Sequence, residues 1–176
     1  MKYIERQTKR IFDITVALFC IVVFSPLYII CYIAIIIDDG RPALFSQERI
    51  GYKGKAFKIH KFRTMRLDAE ESGPQLYNDN DNRLTVVGSF LRRHHLDELP
   101  QMWNVLKGEM AFIGPRPERK YFIDKIMEHD SRYPMLYQLR PGVTSYATLY
   151  NGYTDTMDKM LRRLELDLYY LEHRSW

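Results

Sequence analysis

The chain carries one long apolar block near its N-terminus, and most of its charged residues follow that block. Residues 14–37 include no charged side chain. At a rise of about 1.5 Å per residue, a helix over this block is about 36 Å long, enough to cross a hydrocarbon core of about 30 Å. The pattern therefore predicts a membrane helix.

Ser25-Pro26 interrupts the block near its middle. Proline removes a backbone donor and its ring clashes with the preceding turn, so we predict a bend at this point. The carbonyl that loses its partner needs another donor, and the Ser25 hydroxyl is the candidate. The block is thus expected to form a helix, a break and a second helix.

Both flanks of the block are basic. A spanning helix favours basic residues on the cytoplasmic side only. A bent helix that enters one leaflet and returns keeps both ends in the cytoplasm, and we prefer this re-entrant interpretation to a kinked span or a cleaved signal peptide. Residues 9–13 are interpreted as snorkelling at the interface. The basic flanking residues are Lys2, Arg6, Lys9 and Arg10 before the block and Arg41, Arg49, Lys53, Lys55, Lys58, Lys61, Arg63 and Arg66 after it.

The rest of the chain alternates short apolar runs with turn signals. Residues 45–50 and 56–62 predict a β-hairpin around the glycine-bearing turn 51–54. Residues 72–74 and 78–82 predict a polar loop. Helical segments are expected within 84–96, from Pro100 to about Lys107 with Gly108 ending it, and from Pro117 to about Glu128. The pattern therefore predicts a mainly α protein with a small hairpin.

Apolar residues recur at three- and four-residue intervals near the C-terminus, which predicts an amphipathic helix. Packing of this helix on the domain core is the preferred interpretation, and docking on a membrane surface is the alternative. The residues of this stripe are Met157, Met160, Leu161, Leu164, Leu168 and Leu171.

Composition narrows the choice of partner. A formal net charge of +4 and a pI near 9.0 indicate nucleic acid, anionic lipid head groups or phosphorylated substrates. The only two cysteines, Cys20 and Cys31, lie inside the apolar block, so neither a disulfide framework nor a zinc site is expected. The sequence contains no P-loop, no dinucleotide-binding glycine motif and no recognisable nucleic-acid module, so nucleic acid is not expected as a partner.

Asp97 and Glu98 stand just before Pro100, where a helix is expected to begin. For an Asp-Glu pair without other signals, simple capping of the helix N-terminus would be a sufficient explanation. However, Arg116 and Arg140 each precede a proline, and arginines on such stiff loops suit bidentate phosphate binding. Carboxylates among arginines, without a serine or cysteine nucleophile motif, indicate phosphoryl chemistry with magnesium, in which an aspartate acts as ligand or nucleophile.

Ordered motifs run over nearly the whole chain. They are Lys9-Arg10-Ile11-Phe12-Asp13, Ser25-Pro26, Lys61-Phe62-Arg63-Thr64-Met65, Arg83-Leu84-Thr85, Leu91-Arg92, Leu96-Asp97-Glu98-Leu99-Pro100-Gln101, Asn104-Val105-Leu106-Lys107-Gly108-Glu109-Met110, Ile113-Gly114-Pro115-Arg116-Pro117 and Arg140-Pro141-Gly142-Val143-Thr144. Together they resemble the monotopic phosphoglycosyl transferases, the bacterial sugar transferases of glycan assembly. At 145–148 the chain reads Ser-Tyr-Ala-Thr where the family often has Gly-Trp-Ala-Gln, so the family's contacts there are not carried over.

The resemblance implies a monotopic membrane protein of the small, single-domain type. A re-entrant membrane helix with its break at Ser25-Pro26 would occupy residues 1–37. Residues 38–176 would form a cytoplasmic globular part with interfacial amphipathic helices. The expected location is the cytoplasmic face of the bacterial inner membrane. The chain stops at Trp176, where many relatives continue with a further aromatic-rich segment.

The resemblance also implies a two-step reaction. Asp97 attacks the β-phosphorus of a UDP-sugar and expels UMP, and a polyprenyl phosphate then takes the phosphosugar from the enzyme. Mg²⁺ is expected near Asp97, and Glu98 is expected to assist the second step or to hold the metal shell. The residues expected to hold phosphates are Lys61, Arg63, Arg83, Arg92, Arg116 and Arg140.

Other interpretations stay open at this point. A membrane-anchored basic scaffold would bind anionic lipid or nucleic acid without catalysis, and it would tolerate Asp97→Asn. A metal-dependent phosphohydrolase would release free sugar phosphate without a lipid acceptor. His94-His95 leaves a transition-metal site as a weaker alternative. Exposed apolar surface also suggests that two copies pair as a homodimer.

Overall fold

The structure is a computed structural model that describes residues 3–71, 73, 75, 81–152 and 154–174. The polar loop predicted over 72–74 and 78–82 falls mostly outside these residues. The described part is mostly helical with two small sheets, which confirms the predicted composition of the fold.

The apolar block forms two helices with a sharp break between them. Helix α1 spans Tyr3–Val23 and α2 spans Ser25–Asp39, with Pro26 in the first turn of α2. The axes differ by 62° over Gln7–Val23 and Ser25–Asp39. The Ser25 hydroxyl donates to the Val22 carbonyl at 2.8 Å, so the predicted bend and its predicted donor are both confirmed.

Helices α1 and α2 together have the length and the apolar composition of a membrane segment. Among the described residues no single helix is long and apolar enough to cross a membrane, whereas the bent pair passes that test as a unit. One face of the pair is buried on the domain through Ala17, Cys31 and Ile35. The opposite face is exposed and apolar; its residues include Leu18, Phe19, Val22, Ile29, Ile30, Ile33 and Ile37.

The polar start of α1 faces the domain, so the snorkelling interpretation is wrong for two of its residues. Arg10 donates from Nη1 to the Val105 carbonyl at 2.6 Å and from Nη2 to the Leu106 carbonyl at 2.8 Å. Asp13 accepts the Phe112 amide at 3.1 Å and is buried. Carbonyls at the end of a short helix lack partners within that helix, and Arg10 satisfies them. The run therefore joins helix α1 to the globular part.

The predicted hairpin is confirmed with a one-residue extension. Strand β1 (Leu44–Ile50) pairs antiparallel with β2 (Ala56–Phe62), and Leu44 lies opposite Phe62. The turn at Tyr52–Gly54 is a 3₁₀ turn, in which Lys53 adopts a left-handed conformation with φ 58°. Ile59 and Phe62 of β2 are buried against helices, which fixes the register of the strand and hence the position of Lys61.

Seven further α-helices and β-strands follow in the described chain, with 3₁₀ segments at Leu96–Glu98 and Tyr133–Gln138. The seven are α3 (Val86–Arg93), α4 (Gln101–Lys107), β3 (Ala111–Ile113), α5 (Lys120–His129), β4 (Gly142–Thr144), α6 (Tyr146–Asn151) and α7 (Met157–His173). Gly108 ends α4 in a left-handed conformation, as predicted. Helix α5 begins three residues after Pro117, because the Glu118 carbonyl accepts the Ile50 amide and holds the chain extended there.

The sequence did not predict the pairing of β3 with β4. Strands β3 and β4 pair in parallel, with Ala111 opposite Gly142. Each is three residues long, too short for an alternation pattern to identify. The C-terminal stripe packs on the core, as preferred: Met160, Leu164 and Leu168 of α7 are buried in one cluster with residues of α5.

Candidate active site

Asp97 lies on a tight turn between α3 and α4. His95 adopts a left-handed conformation with φ 55°, which is uncommon outside glycine, and a 3₁₀ turn follows at Leu96–Glu98. Pro100 then begins the next helix, with the fixed φ that suits that place. The turn directs Asp97 into the domain, so that this residue is only 6% exposed.

Two cations from distant parts of the sequence close on this turn. Lys61 of β2 places Nζ 2.8 Å from Glu98 Oε1 and 3.8 Å from Asp97 Oδ2. Arg116, in the loop after β3, donates from Nη2 to the same Glu98 oxygen at 2.7 Å. Glu98 is therefore held by two charge-assisted hydrogen bonds, whereas Asp97 stands at ion-pair distance from Lys61.

The two carboxylates have opposite electrostatic environments. Burial raises the pKa of Asp97, and the negative charge on Glu98 adds to this effect, against the attraction of nearby cations. Burial also acts to raise the pKa of Glu98, but the attraction of Arg116 and Lys61 outweighs it and holds that pKa well below its usual range. Glu98 is thus a fixed anion, and Asp97 is the more basic and less restrained carboxylate of the pair.

Arg92 completes the positive surroundings of Asp97. It lies in the last turn of α3 and belongs to the charged groups that favour the ionised form of Asp97. Burial lowers the pKa of Lys61, and Glu98 opposes that effect. Three of the predicted phosphate-binding residues, Lys61, Arg92 and Arg116, are therefore gathered around the Asp97-Glu98 turn. Such a cluster suits a diphosphate, whose charge several cations can share.

Arg63 and Arg83 have other partners in the structure. The buried Arg63 donates from Nη2 to the carbonyls of Asp39 and Gly40, both at 2.8 Å, where α2 ends. Arg83 grips the Asp81 carboxylate, with Nε 2.7 Å from Oδ1 and Nη2 2.5 Å from Oδ2. Both side chains fix local chain geometry beside the site, and neither is bonded to the Asp97-Glu98 turn.

Arg140 lies at the other end of α4. Its Nε donates to the Gly108 carbonyl at 2.8 Å, and its guanidinium sits 5.3 Å from the ring centre of Tyr52. Helix α4 has seven residues, which at about 1.5 Å each separate its two ends by about 10 Å. The Arg140 side chain is thus bonded at the end of α4 and not at the Asp97-Glu98 turn, although its backbone lies beside the loop that carries Arg116.

The histidine pair offers no metal cage. The ring of His94 packs against Phe90, and its Nδ1 lies 2.9 Å from the Phe90 carbonyl. Within the described part of the chain, no three His, Cys, Asp or Glu side chains group closely enough to hold a metal ion between them. The transition-metal alternative therefore gains no support.

A buried ionic network behind Arg116 was missed by sequence reasoning. Glu118 pairs with Arg163 of α7 at 2.9 Å and with Arg49 of β1 at 3.4 Å. Asp167 of α7 is 2% exposed; burial raises its pKa to about 7, although Arg163 and the backbone amide of Arg116 favour its charged form. The sequence signal that could have revealed the network is Asp167, a carboxylate at an inward-facing position of the apolar stripe of α7. This network fixes the loop that presents Arg116.

Comparison with known proteins identifies the family of the chain. The family model described as bacterial sugar transferase matches residues 4–176. The chain is 38% identical over 167 residues to the UDP-N-acetylgalactosamine-undecaprenyl-phosphate N-acetylgalactosaminephosphotransferase of Aeromonas hydrophila, covering 95% of this chain and 40% of that protein. It is 37% identical over 175 residues to the UDP-glucose:undecaprenyl-phosphate glucose-1-phosphate transferase of Escherichia coli (strain K12), covering 98% of this chain and 37% of that protein.

The relatives differ in length. The chain spans about two fifths of the two proteins named above. Against the exopolysaccharide production protein PSS of Rhizobium leguminosarum bv. phaseoli, it is 38% identical over 173 residues, covering 95% of this chain and 86% of that protein. The match to the family model runs through α1, α2 and the whole Asp97-Glu98 turn. The chain therefore belongs to the bacterial sugar transferase family, as its motifs predicted.

Proposed function

We propose that this protein transfers a sugar 1-phosphate from a UDP-sugar to a polyprenyl phosphate such as undecaprenyl phosphate and releases UMP. The observation that carries the proposal is the Asp97 carboxylate, buried among Lys61, Arg92 and Arg116. The names of the relatives support the donor and acceptor classes, because they include undecaprenyl-phosphate transferases that use UDP-N-acetylgalactosamine or UDP-glucose.

Asp97 is proposed as the nucleophile. In the first step an Asp97 oxygen bonds to the β-phosphorus of the donor, and the bond from that phosphorus to the bridging oxygen breaks, so UMP leaves as an anion. In the second step an oxygen of the polyprenyl phosphate bonds to the same phosphorus, and the bond to Asp97 breaks. The carboxylate is restored and the product is a polyprenyl diphosphate sugar.

Glu98 is proposed to position the cations. Its oxygen accepts from Lys61 at 2.8 Å and from Arg116 at 2.7 Å, and both cations also attract Asp97. A carboxylate with a pKa held so low is a poor proton acceptor at neutral pH. Glu98 thus preorganises Lys61 and Arg116 for the charge that develops on the phosphoryl oxygens.

Magnesium is proposed as the cofactor, with Asp97 as its protein ligand. Mg²⁺ usually takes one or two protein carboxylates and completes its shell with waters and substrate phosphates. Asp97 fits this requirement, because its carboxylate lies 3.8 Å from Lys61, beyond hydrogen-bond distance, and keeps oxygen atoms available. When bound, the ion would neutralise charge on the donor diphosphate.

The bent pair of α1 and α2 is proposed to anchor the protein in a re-entrant manner at the cytoplasmic face of the bacterial inner membrane. Its outward face is apolar, while its inner face is buried on the globular part. Basic residues flank the pair on both sides, which favours both ends on the same side. This places the donor site within reach of water and of a lipid acceptor. Homodimer formation stays a prediction.

The test is UMP release from a panel of UDP-sugars with magnesium and undecaprenyl phosphate. The native chain is compared with Asp97→Asn, which keeps the shape of the side chain and removes its charge. Asp124→Asn is the matched control, because Asp124 lies in an exposed ion pair with Lys120 on α5. We expect Asp97→Asn to abolish release and Asp124→Asn to retain it.

The products distinguish the other functions. A sugar-bearing lipid formed together with UMP supports the transferase and identifies its sugar. Free sugar phosphate formed without a lipid acceptor would point to a phosphohydrolase. Activity of Asp97→Asn equal to that of the native chain would exclude the nucleophile proposed here, and the absence of reaction with every donor would favour a binding scaffold.

A further inference from the structure

A second basic cleft lies at the opposite end of α4 from Asp97. It lies between the start of α1, the hairpin turn, β3 and the end of α7, and its cavity volume is about 70 Å³. Its polar lining includes Lys9, Arg10, Tyr52, Arg140, Tyr170 and Arg174. The mechanism proposed above does not use this cleft.

The described lining of the cleft is mainly cationic. It has four cationic residues and one carboxylate, Asp13, which gives these described residues a formal charge of +3. Asp13 is already committed to Lys9 at 3.1 Å and to the Phe112 amide. Arg10 and Arg140 converge on Gly108: a Cβ there would lie 3.3 Å from Arg10 Nη2, and the Gly108 carbonyl accepts from Arg140 Nε. Two guanidiniums held this close favour an anion between them.

The remaining walls are apolar. Ala111, Ile113 and Leu139 line the cleft beside the two tyrosine rings. Farther along α1, the face turned away from the domain exposes Leu18 and Val22. From Arg10 to Val22 the helix rises about 18 Å, close to half of a hydrocarbon core of about 30 Å. An anionic head group therefore matches the cleft, and an apolar tail that leaves the cleft would lie against this outward face of α1.

The position of the cleft excludes the reacting phosphates. The groups that act on Asp97 are Lys61, Glu98, Arg116 and Arg92, a set that shares no member with the cleft. The ends of α4 are about 10 Å apart, whereas an acceptor phosphate must come within bonding distance of the phosphosugar on Asp97. A phosphate held at Arg10 and Arg140 is thus a structural ligand and not a substrate.

We propose that this cleft binds the head group of an anionic membrane phospholipid, with the acyl chains lying along α1. The proposal rests on the membrane location proposed above. The bound phosphate would tie Arg10 of the membrane helix to Arg140 of the globular part. An anionic lipid would thereby fix the height of the Asp97 site relative to the bilayer surface.

The test is a titration of fluorescently labelled phosphatidylglycerol into the purified full chain in a neutral detergent. Labelled phosphatidylcholine measures uptake that does not depend on head-group charge. Arg140→Gln removes one cleft charge, Arg140→Lys keeps it, and Arg162→Gln removes an exposed arginine of α7 that pairs only locally with Glu165. Lys9→Gln is a second cleft variant, and thermal unfolding checks that each variant folds.

We expect a preference for phosphatidylglycerol that Arg140→Gln and Lys9→Gln each weaken about fivefold, the effect of one basic residue at an anionic surface. Arg140→Lys and Arg162→Gln should bind as the native chain does. Asp97→Asn should also bind normally while transferring no sugar, so that failure of the lipid site and failure of the transferase proposal give different results.

Three outcomes would overturn the proposal. Equal losses in Arg140→Gln and Arg162→Gln would mean diffuse attraction by surface charge. Equal binding of phosphatidylglycerol and phosphatidylcholine would mean that the cleft does not recognise an anionic head. Binding of undecaprenyl phosphate that depends on Arg140, without binding of phosphatidylglycerol, would assign the cleft to the acceptor.

Discussion

Replacement of Glu98 by glutamine tests how the site is held together. Glu98 Oε1 accepts from Lys61 Nζ at 2.8 Å and from Arg116 Nη2 at 2.7 Å, and the Glu98 side chain is 11% exposed. Glutamine keeps the shape and one neutral acceptor but removes the charge. Lys61 and Arg116 would then lose the carboxylate they share, and the carboxylates left near them would be Asp97 and, for Arg116, Glu118.

The structure sets the size of the effect. In the native site Lys61 and Arg116 share the charge of Glu98, and the substitution removes one negative charge from this buried cluster. Removing one partner of a buried pair costs about 3–5 kcal/mol. The glutamine amide oxygen still accepts a hydrogen bond, which recovers about 1 kcal/mol of this cost. Solvent at the partly exposed Arg116 screens part of the remaining electrostatic cost. We therefore expect Glu98→Gln to lower the free energy of unfolding by roughly 2–3 kcal/mol.

Chemical unfolding of the purified full chain in a neutral detergent measures this loss. Glu165→Gln is the matched control, because Glu165 is 57% exposed and pairs with Arg162 at 3.3 Å; it should cost less than about 0.5 kcal/mol. In the double variant with Arg116→Gln, the second substitution should cost less than it does alone, with a coupling of about 1–3 kcal/mol. Additive losses, or a Glu98→Gln effect as small as that of the control, would refute the shared-oxygen description of the site.

Three further predictions concern residues that support the site. Burial raises the pKa of Asp167 from 3.8 to about 7, so between these pH values the folded chain holds a proton that the unfolded chain has released. The free energy of unfolding should therefore fall as pH rises over this range, by at most roughly 4 kcal/mol. Unfolding measured against pH should lose this dependence in Asp167→Asn. The buried Asn104 side chain donates to the Lys58 carbonyl and accepts the His60 amide. Asn104→Ala leaves both strand groups unpaired, so it should lower the free energy of unfolding by about 3 kcal/mol in chemical unfolding. A loss under about 1 kcal/mol would show that water replaces the side chain. A Cβ at Gly88 would lie 2.0 Å from the Thr64 carbonyl oxygen. Gly88→Ala should therefore displace α3 together with Arg92 and destabilise the folded protein by about 1–3 kcal/mol or more. An unchanged melting temperature would contradict that close approach.

Local rules account for much of the fold. The bend at Ser25-Pro26, the hairpin around Gly51–Gly54 and the end of α4 at Gly108 were predicted because each depends on residues that are neighbours in sequence. The start of α5 was predicted three residues early, because the Glu118 carbonyl is taken by the amide of Ile50, a residue far away in the chain. The β3–β4 pair was missed for a related reason: pairing between short distant strands leaves no local pattern.

The candidate site shows the same division between local and distant information. Asp97 and Glu98 could be selected from the sequence, because adjacent carboxylates before a proline-started helix among arginines already suggest phosphate chemistry. The different electrostatic environments of the two carboxylates could not be predicted from the sequence, because the hairpin and the loop after β3 bring Lys61 and Arg116 to Glu98. The sequence by itself determined the family motifs, the broken apolar helix and the chemical types in the site. Only the tertiary structure separated Arg140 from Asp97 and placed Asp167 behind Arg116, because burial and the distance between charges depend on contacts between residues far apart in the chain.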